Sequence, residues 1–175
     1  MEAIDVRTVI ASVSAIFADM LSEDGRKLRV LTEPAESAAS YTVIGNDGRL
    51  GQVFTNLIDN ALSFSPEGGV VTIRARPNGA KIDVCVEDQG PGIPSDKLGA
   101  IFDRFYSDRP ATDARQGKNS GLGLSISREI VASHRGLIFA ENLPAKASDG
   151  GSTGARLVVR LPLALNGGGV GGRRH

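Results

Sequence analysis

Apolar side chains recur along this chain with two different periods, and the switches between them divide it into elements. Val6, Val9, Ile10, Val13, Phe17, Met20 and Leu21 fall at helical spacing, with Asp5 before them as a cap and Gly25 after them as a stop. They predict a helix over residues 6–21. Leu50, Val53, Phe54, Leu57, Ile58, Ala61 and Phe64 form a second, clearer stripe, which predicts a helix over 50–64 ended by Pro66 and Gly68. Alternation with period two marks 70–76 and 81–87 as strands, joined by a tight turn at Pro77-Asn78-Gly79. Shorter strand candidates cover 28–32, 41–45, 137–141 and 155–161. A short helix is expected over 95–105, and a further one over 121–134 with Ser120 as its cap. A hairpin set among helices implies a mixed, mostly antiparallel sheet with about three helices on one face, an α+β two-layer sandwich rather than regular βαβ winding.

Two stretches lack periodicity. Residues 106–120 are polar and charged, and a loop of that length inside a compact domain is usually functional or disordered. Residues 166–175 are Gly-rich with two Arg and read as a disordered tail, which leaves 1–165 as one domain. Composition narrows the function classes. With 20 basic and 20 acidic side chains in 175 residues the net charge is zero, which argues against a nucleic-acid partner. The single cysteine, Cys85, rules out an internal disulfide, fits a reducing compartment and sits where a small buried hydrophobe belongs. No apolar run approaches the ~18 residues of a membrane span, so the chain is not expected to insert in a membrane itself, although it could be part of a larger membrane protein.

Three groups of residues could carry chemistry. Asn56 and Asn60 are one turn apart on the clearest helix, on the flank of its apolar stripe, where amides need partners. The side-chain oxygen of Asn60 could serve a hard cation such as Mg²⁺. Asp88-Gln89-Gly90-Pro91-Gly92 follows a strand; its carboxylate could accept a hydrogen bond from an exocyclic amine such as that of adenine, and its glycines allow close approach and positive φ. Gly121-Leu122-Gly123-Leu124 opens a helix, whose N-terminus attracts phosphate. Singly, each has an ordinary explanation: amides that cap or face water, a strand-ending turn, small residues for packing. The familiar nucleotide fingerprints are absent. Gly90-Pro91-Gly92 has Ser95 in place of a third glycine, and Gly117-Lys118 has Thr112 upstream and Asn119 downstream.

In this order, the pieces resemble the catalytic, ATP-binding domain of sensor histidine kinases, of the superfamily shared with gyrase and the ninety-kilodalton chaperones. Residues 56–61 are similar to that family's N box, 88–94 to its first glycine box, 101–106 to its phenylalanine box and 120–126 to its second glycine box. The resemblance implies ATP and Mg²⁺ as cofactors. It implies Asn60 as a Mg²⁺ ligand with Asn56 beside it as the catalytic pair, and Asp88 as the reader of the adenine amine. Gly90, Gly92 and Ile93 would shape the adenine pocket, Phe105 would seat a mobile lid alongside Phe102, and Gly121, Leu122 and Gly123 would anchor that lid near the phosphates. The segment around the lid is similar to envelope-sensing kinases of α-proteobacteria. Two departures stand out. Ser63 occupies a position where the family often has Lys or Arg, so the cation would have to come from Arg104, Arg109, Arg115 or Lys118. Arg135 stands where a glycine commonly precedes Gly136, a change expected to matter little.

Hydrolytic relatives carry a glutamate where this chain has Asn56, and an amide cannot act as general base for water. The expected reaction is transfer of the γ-phosphoryl to a histidine on a separate dimerisation domain, and from there to a response regulator. Neither His134 nor His175 stands in an acceptor motif. A serine kinase of the same superfamily and a non-catalytic nucleotide-binding module are the alternatives. The isolated domain is expected to be monomeric and cytoplasmic, and its parent a homodimeric membrane sensor.

Overall fold

A computed structural model describes residues 1–21, 25–33, 38–106, 123–144 and 154–165. The element order is β1 (Glu2–Asp5), α1 (Val6–Leu21), β2 (Lys27–Thr32), β3 (Thr42–Gly45), α2 (Asp47–Phe64), β4 (Val70–Asn78), β5 (Lys81–Glu87), α3 (Gly123–Ser133), β6 (Leu137–Asn142) and β7 (Ala155–Pro162). Five strands form one sheet in the order β2-β4-β5-β7-β6. The β2–β4 pair is parallel and the other three pairs are antiparallel. Helix α1 lies on β2, α2 on β4 and β5, and α3 on β6, which is the α+β two-layer sandwich expected from the sequence.

Each helix follows from its stripe. Asp5 caps α1, its Oδ1 accepting from the Arg7 N–H at 2.9 Å. Val6, Val9, Ile10, Val13, Phe17 and Leu21 are buried there, while Met20 faces outward at 56% exposure. Asn46 caps α2 through a 2.9 Å bond from the Arg49 N–H. On α2 the stripe ends with buried Leu62 rather than Phe64, which is 38% exposed. Strand alternation sends Ile73, Val84, Val86, Leu157 and Val159 into the same core.

Among the described residues no helix covers the opposite face of the sheet; arginine stems line it. Arg160 donates to both oxygens of Asp83 at 2.8 and 3.0 Å, and Asp83 is only 1% exposed. Burial raises the Asp83 carboxyl, but the bonds from Arg160 and Asn78 and the charges of Arg160 and Arg76 outweigh it and hold the group below the ordinary range. Cys85, on the same face, is buried and its thiol is pushed up to about 11, chiefly by burial.

Four expectations need correction. The hairpin turn sits at Gly79-Ala80, because Asn78 still pairs with Lys81. Pro77 is tolerated inside β4 because β2 stops level with Ala75 and no described strand pairs with β4 on that side beyond it. Residues 95–105 hold two single 3₁₀ turns, Ser95–Lys97 and Ala100–Phe102, separated by Leu98 and Gly99, rather than a continuous helix. Strand β1 was not foreseen, and it takes β3 out of the main sheet into an antiparallel pair. Finally, Arg135 is not neutral in its conformation. It has φ 59°, and the bonds Arg135 N–H to Ala132 O and Gly136 N–H to Val131 O close a Schellman turn around it. The loop over 107–120, Gly121, Leu122, Arg109, Arg115, Lys118, His175 and the tail lie outside the described residues.

Candidate functional site

Three of the sequence motifs meet along the second half of α2. Asn56 is half-buried, and its Nδ2 donates to the Gly123 carbonyl at 3.2 Å and to Ser127 Oγ at 3.3 Å. One amide therefore fastens α2 to the first turn of α3, and its side-chain oxygen remains for other use. Ser127 Oγ also donates to the Gly123 carbonyl, at 2.8 Å, and is itself fully buried. One turn further along α2, Asn60 is half-buried, and none of the described residues hydrogen-bonds its carboxamide. Ser63 donates its hydroxyl to the Asn60 main-chain carbonyl at 2.6 Å, so it folds back on the helix instead of reaching outward as a basic side chain would.

The end of α2 also meets the glycine loop after β5. A Cβ on Gly90 would lie 2.7 Å from the Phe64 carbonyl oxygen, so the small residue at 90 serves the approach of this loop to the helix end. Asp88 opens the loop and is 8% exposed. Its Oδ1 accepts from the Gly90 N–H at 2.9 Å and from the Ala155 N–H at 3.1 Å. Burial pushes the carboxyl above its usual range, and the two N–H bonds oppose that shift. With Oδ1 fixed by two donors, Oδ2 is left without a partner among the described residues and can take a hydrogen bond from a ligand.

The same loop is held from the other side by the entrance to β7, Gly154 and Ala155. The Gly154 N–H donates to Gly90 O at 2.9 Å, and the Asp88 N–H donates to Ala155 O at 2.9 Å. Gly154 has φ 68°, and a Cβ there would fall 2.1 Å from the Asp88 carbonyl oxygen. No other residue type fits this contact. Gly92 turns the loop with φ 82°. Beyond it, Asn142 at the end of β6 accepts from the Ile93 N–H and donates to the Ile93 carbonyl, both at 2.7 Å. Nothing in the sequence distinguishes Asn142, a polar residue ending a strand next to Glu141.

Phe102 and Phe105 separate. Phe102 is buried in the core. Phe105 is 71% exposed with φ 63°, and the Arg104 guanidinium lies 6.0 Å from its ring centre. Gly123 is brought against Asn56, whereas Gly121 and Leu122 fall outside the described residues. His134 is buried and engaged through both ring nitrogens: Nε2 accepts from the Asn46 N–H at 3.0 Å and Nδ1 lies 2.7 Å from Ile130 O. Among the described residues no three His, Cys, Asp or Glu side chains gather as a metal cage. A hard cation at this site would depend on Asn60, on ligand oxygens and on water.

Known proteins of one family share this chain's sequence pattern and fold. Residues 45–165 match the family model described as histidine kinase-, DNA gyrase B-, and HSP90-like ATPase. The sensor protein ChvG of Agrobacterium fabrum is 47% identical over 136 residues, which is 77% of this chain and 22% of that protein. The sensor-like histidine kinase SenX3 of Mycolicibacterium smegmatis is 30% identical over 148 residues, or 85% of this chain and 37% of that protein. The chain thus spans about a fifth to two fifths of the curated relatives it matches. Among solved structures, a mycobacterial sensor histidine kinase, MprB, superposes with a TM-score of 0.73 at 28% identity, covering 93% of this chain and 97% of that one. The catalytic domain of the histidine kinase ThkA superposes with a TM-score of 0.73 at 25% identity, covering 93% and 98%.

Proposed function

This chain belongs to the histidine kinase-, DNA gyrase B-, and HSP90-like ATPase family, as a catalytic domain of the sensor histidine kinase kind, and from that membership we propose that it binds Mg·ATP and transfers the γ-phosphoryl group to a histidine outside the chain. The observation that carries this reading is the convergence on α2: Asn56 against Gly123, Asn60 with a carboxamide that none of the described residues hydrogen-bonds, and Phe64 O against Gly90. Adenine would lie on the glycine-loop side, its amine donating to Asp88 Oδ2, with Gly92 and Ile93 shaping the pocket. The triphosphate would extend toward Asn60 and the start of α3 at Gly123, with Gly121 and Leu122, which precede it in sequence, proposed as further phosphate contacts. Mg²⁺ would neutralise phosphate charge there, with Asn60 as its protein oxygen ligand.

The remaining chemistry follows from the side chains. Asn56 carries no base, and its Nδ2 is committed to α3, which favours transfer over hydrolysis. His134 is buried and bonded at both nitrogens, so it is not the acceptor. The acceptor histidine belongs to a dimerisation domain of the parent kinase and the phosphoryl group passes on to a response regulator; the parent is a homodimeric sensor and this domain lies in the cytoplasm. No helix among the described residues is long and apolar enough to cross a membrane.

Calorimetry with a non-hydrolysable ATP analogue, with and without Mg²⁺, tests the metal role. Asn60→Ala is expected to lower Mg-dependent affinity by about tenfold, the loss of one charge-assisted contact, with the melting temperature unchanged. Unchanged Mg-dependent affinity would remove Asn60 from the site.

A further inference from the structure

Backbone bonds from the β7 entrance secure the first part of the glycine loop. Among the described residues they reach Asp88 and Gly90. The chain then passes through Pro91 and turns at Gly92, φ 82°, before arriving at Ile93. At that point both polar groups of the Ile93 main chain are met by one side chain. Asn142 Oδ1 accepts from the Ile93 N–H and Asn142 Nδ2 donates to the Ile93 carbonyl, each at 2.7 Å. A carboxamide presents its oxygen and one of its two N–H bonds side by side in a plane, and so can pair with the N–H and C=O of a single residue. Asn142 therefore acts as an added rung of the sheet, extending from the end of β6 to the far end of the loop. Its own backbone position is fixed by pairing with Ala155, the residue that also binds Asp88. The two ends of the loop are thus referred to the same β6–β7 corner.

We infer that Asn142 is a positioning residue for nucleotide binding, setting the adenine side of the pocket through its two bonds to Ile93 while touching no ligand itself. The inference rests on the proposed nucleotide site, to which Ile93 and Asp88 belong. Other residue types meet the requirement poorly. Alanine supplies neither bond. Aspartate accepts from the Ile93 N–H but as a carboxylate cannot donate to the carbonyl oxygen, and it sets two acceptors against each other. Because Asn142 acts at the adenine end, its loss should affect ATP and ADP equally.

The experiment measures affinities of the full chain for ADP and for a non-hydrolysable ATP analogue, with Mg²⁺ present, together with melting temperatures of the ligand-free proteins. Asn142→Ala should weaken both nucleotides by about tenfold, the scale of two modest hydrogen bonds, and leave the ratio of the two affinities as it is in the unmodified chain. Asn142→Asp, which keeps one bond and loses the other, should also weaken both nucleotides and leave their ratio unchanged. A lowered melting temperature with unchanged affinities would show a merely structural role and overturn the inference. So would a loss confined to the ATP analogue, which would place the effect at the phosphate end. Should Asn142→Ala fail to fold, Asn142→Asp alone decides, with unchanged affinities again contradicting the inference. Failure of the unmodified chain to bind either nucleotide would instead overturn the nucleotide site itself, and this inference with it.

Discussion

Replacing Gly154 with alanine should be among the most damaging single-methyl changes in the molecule, and the structure allows its size to be worked out. Gly154 and Gly25 both have positive φ, 68° and 77°. An alanine at either carries the left-handed backbone cost of ~1–2 kcal/mol, and both gain the same stiffening of the unfolded chain. They differ in surroundings. A Cβ at 25 meets nothing within 4 Å, whereas at 154 it lies 2.1 Å from the Asp88 carbonyl oxygen. Reaching ordinary contact requires a retreat of roughly 1 Å or more. That movement strains Gly154 N–H to Gly90 O, Asp88 N–H to Ala155 O and Ala155 N–H to Asp88 Oδ1, of 2.9, 2.9 and 3.1 Å. At ~1 kcal/mol each, the extra cost over Gly25→Ala is roughly 3 kcal/mol. For a chain of this size that corresponds to roughly 6–12 °C in melting temperature. Thermal unfolding of the two variants side by side, without nucleotide, measures the difference. If they melt within about 2 °C of each other, the corner formed by Gly154 and Asp88 does not constrain the loop as described.

Arg135 holds φ 59° at the position of a Schellman turn that glycine fills most readily; Arg135→Gly should stabilise by about 0.5–1 kcal/mol, seen as a higher urea midpoint, and an unchanged or lower midpoint would refute the assignment. Asp83 is held below the usual carboxylate range, so its contribution is present above the unfolded pKa and is lost as pH falls through the folded one. The stability gap between the unmodified chain and Asp83→Asn should therefore be open at neutral pH and close in acid, and a gap that does not vary with pH would contradict the Arg160 pairing. Asp88 has the opposite sign: its raised pKa means that ionisation costs stability as pH rises above the unfolded value. Asp88→Asn keeps an acceptor for Gly90 and Ala155, so it should be no less stable than the unmodified chain at pH 7, by thermal unfolding; a clear drop would show that the charge itself holds the corner.

Much of this architecture is legible in the sequence because its signals are local. The period of the stripe led by Leu50 places α2, and the alternation over β4 and β5 places the hairpin. Asp88 and the glycine loop stand out because a carboxylate and two glycines directly follow a strand. What stays hidden depends on long-range pairing. Strand β1 is four residues long and is a strand only because β3 lies beside it. Residues 95–105 have the composition of a short helix, but they form two separate 3₁₀ turns, and these bury Ile101 and Phe102 in the core. Asn142 and Gly154 matter through what they touch, and neither Ile93 nor Asp88 is near them in sequence. Asn56 could be placed on the right helix, but the tie of its Nδ2 to α3 depends on a fold contact. Arg135 looked harmless because a sequence carries no φ.

The central claim is an adenine-reading pocket at Asp88, with one carboxylate oxygen held by the backbone and the other turned to the ligand. Calorimetric titration of the unmodified chain and of Asp88→Asn with non-hydrolysable ATP and GTP analogues, in Mg²⁺ at pH 7, tests it most directly. The account predicts that the unmodified chain binds the ATP analogue in preference to the GTP analogue and that Asp88→Asn abolishes that preference while remaining folded. Equal binding of the two analogues by the unmodified chain, or a preference that survives in Asp88→Asn, would contradict it.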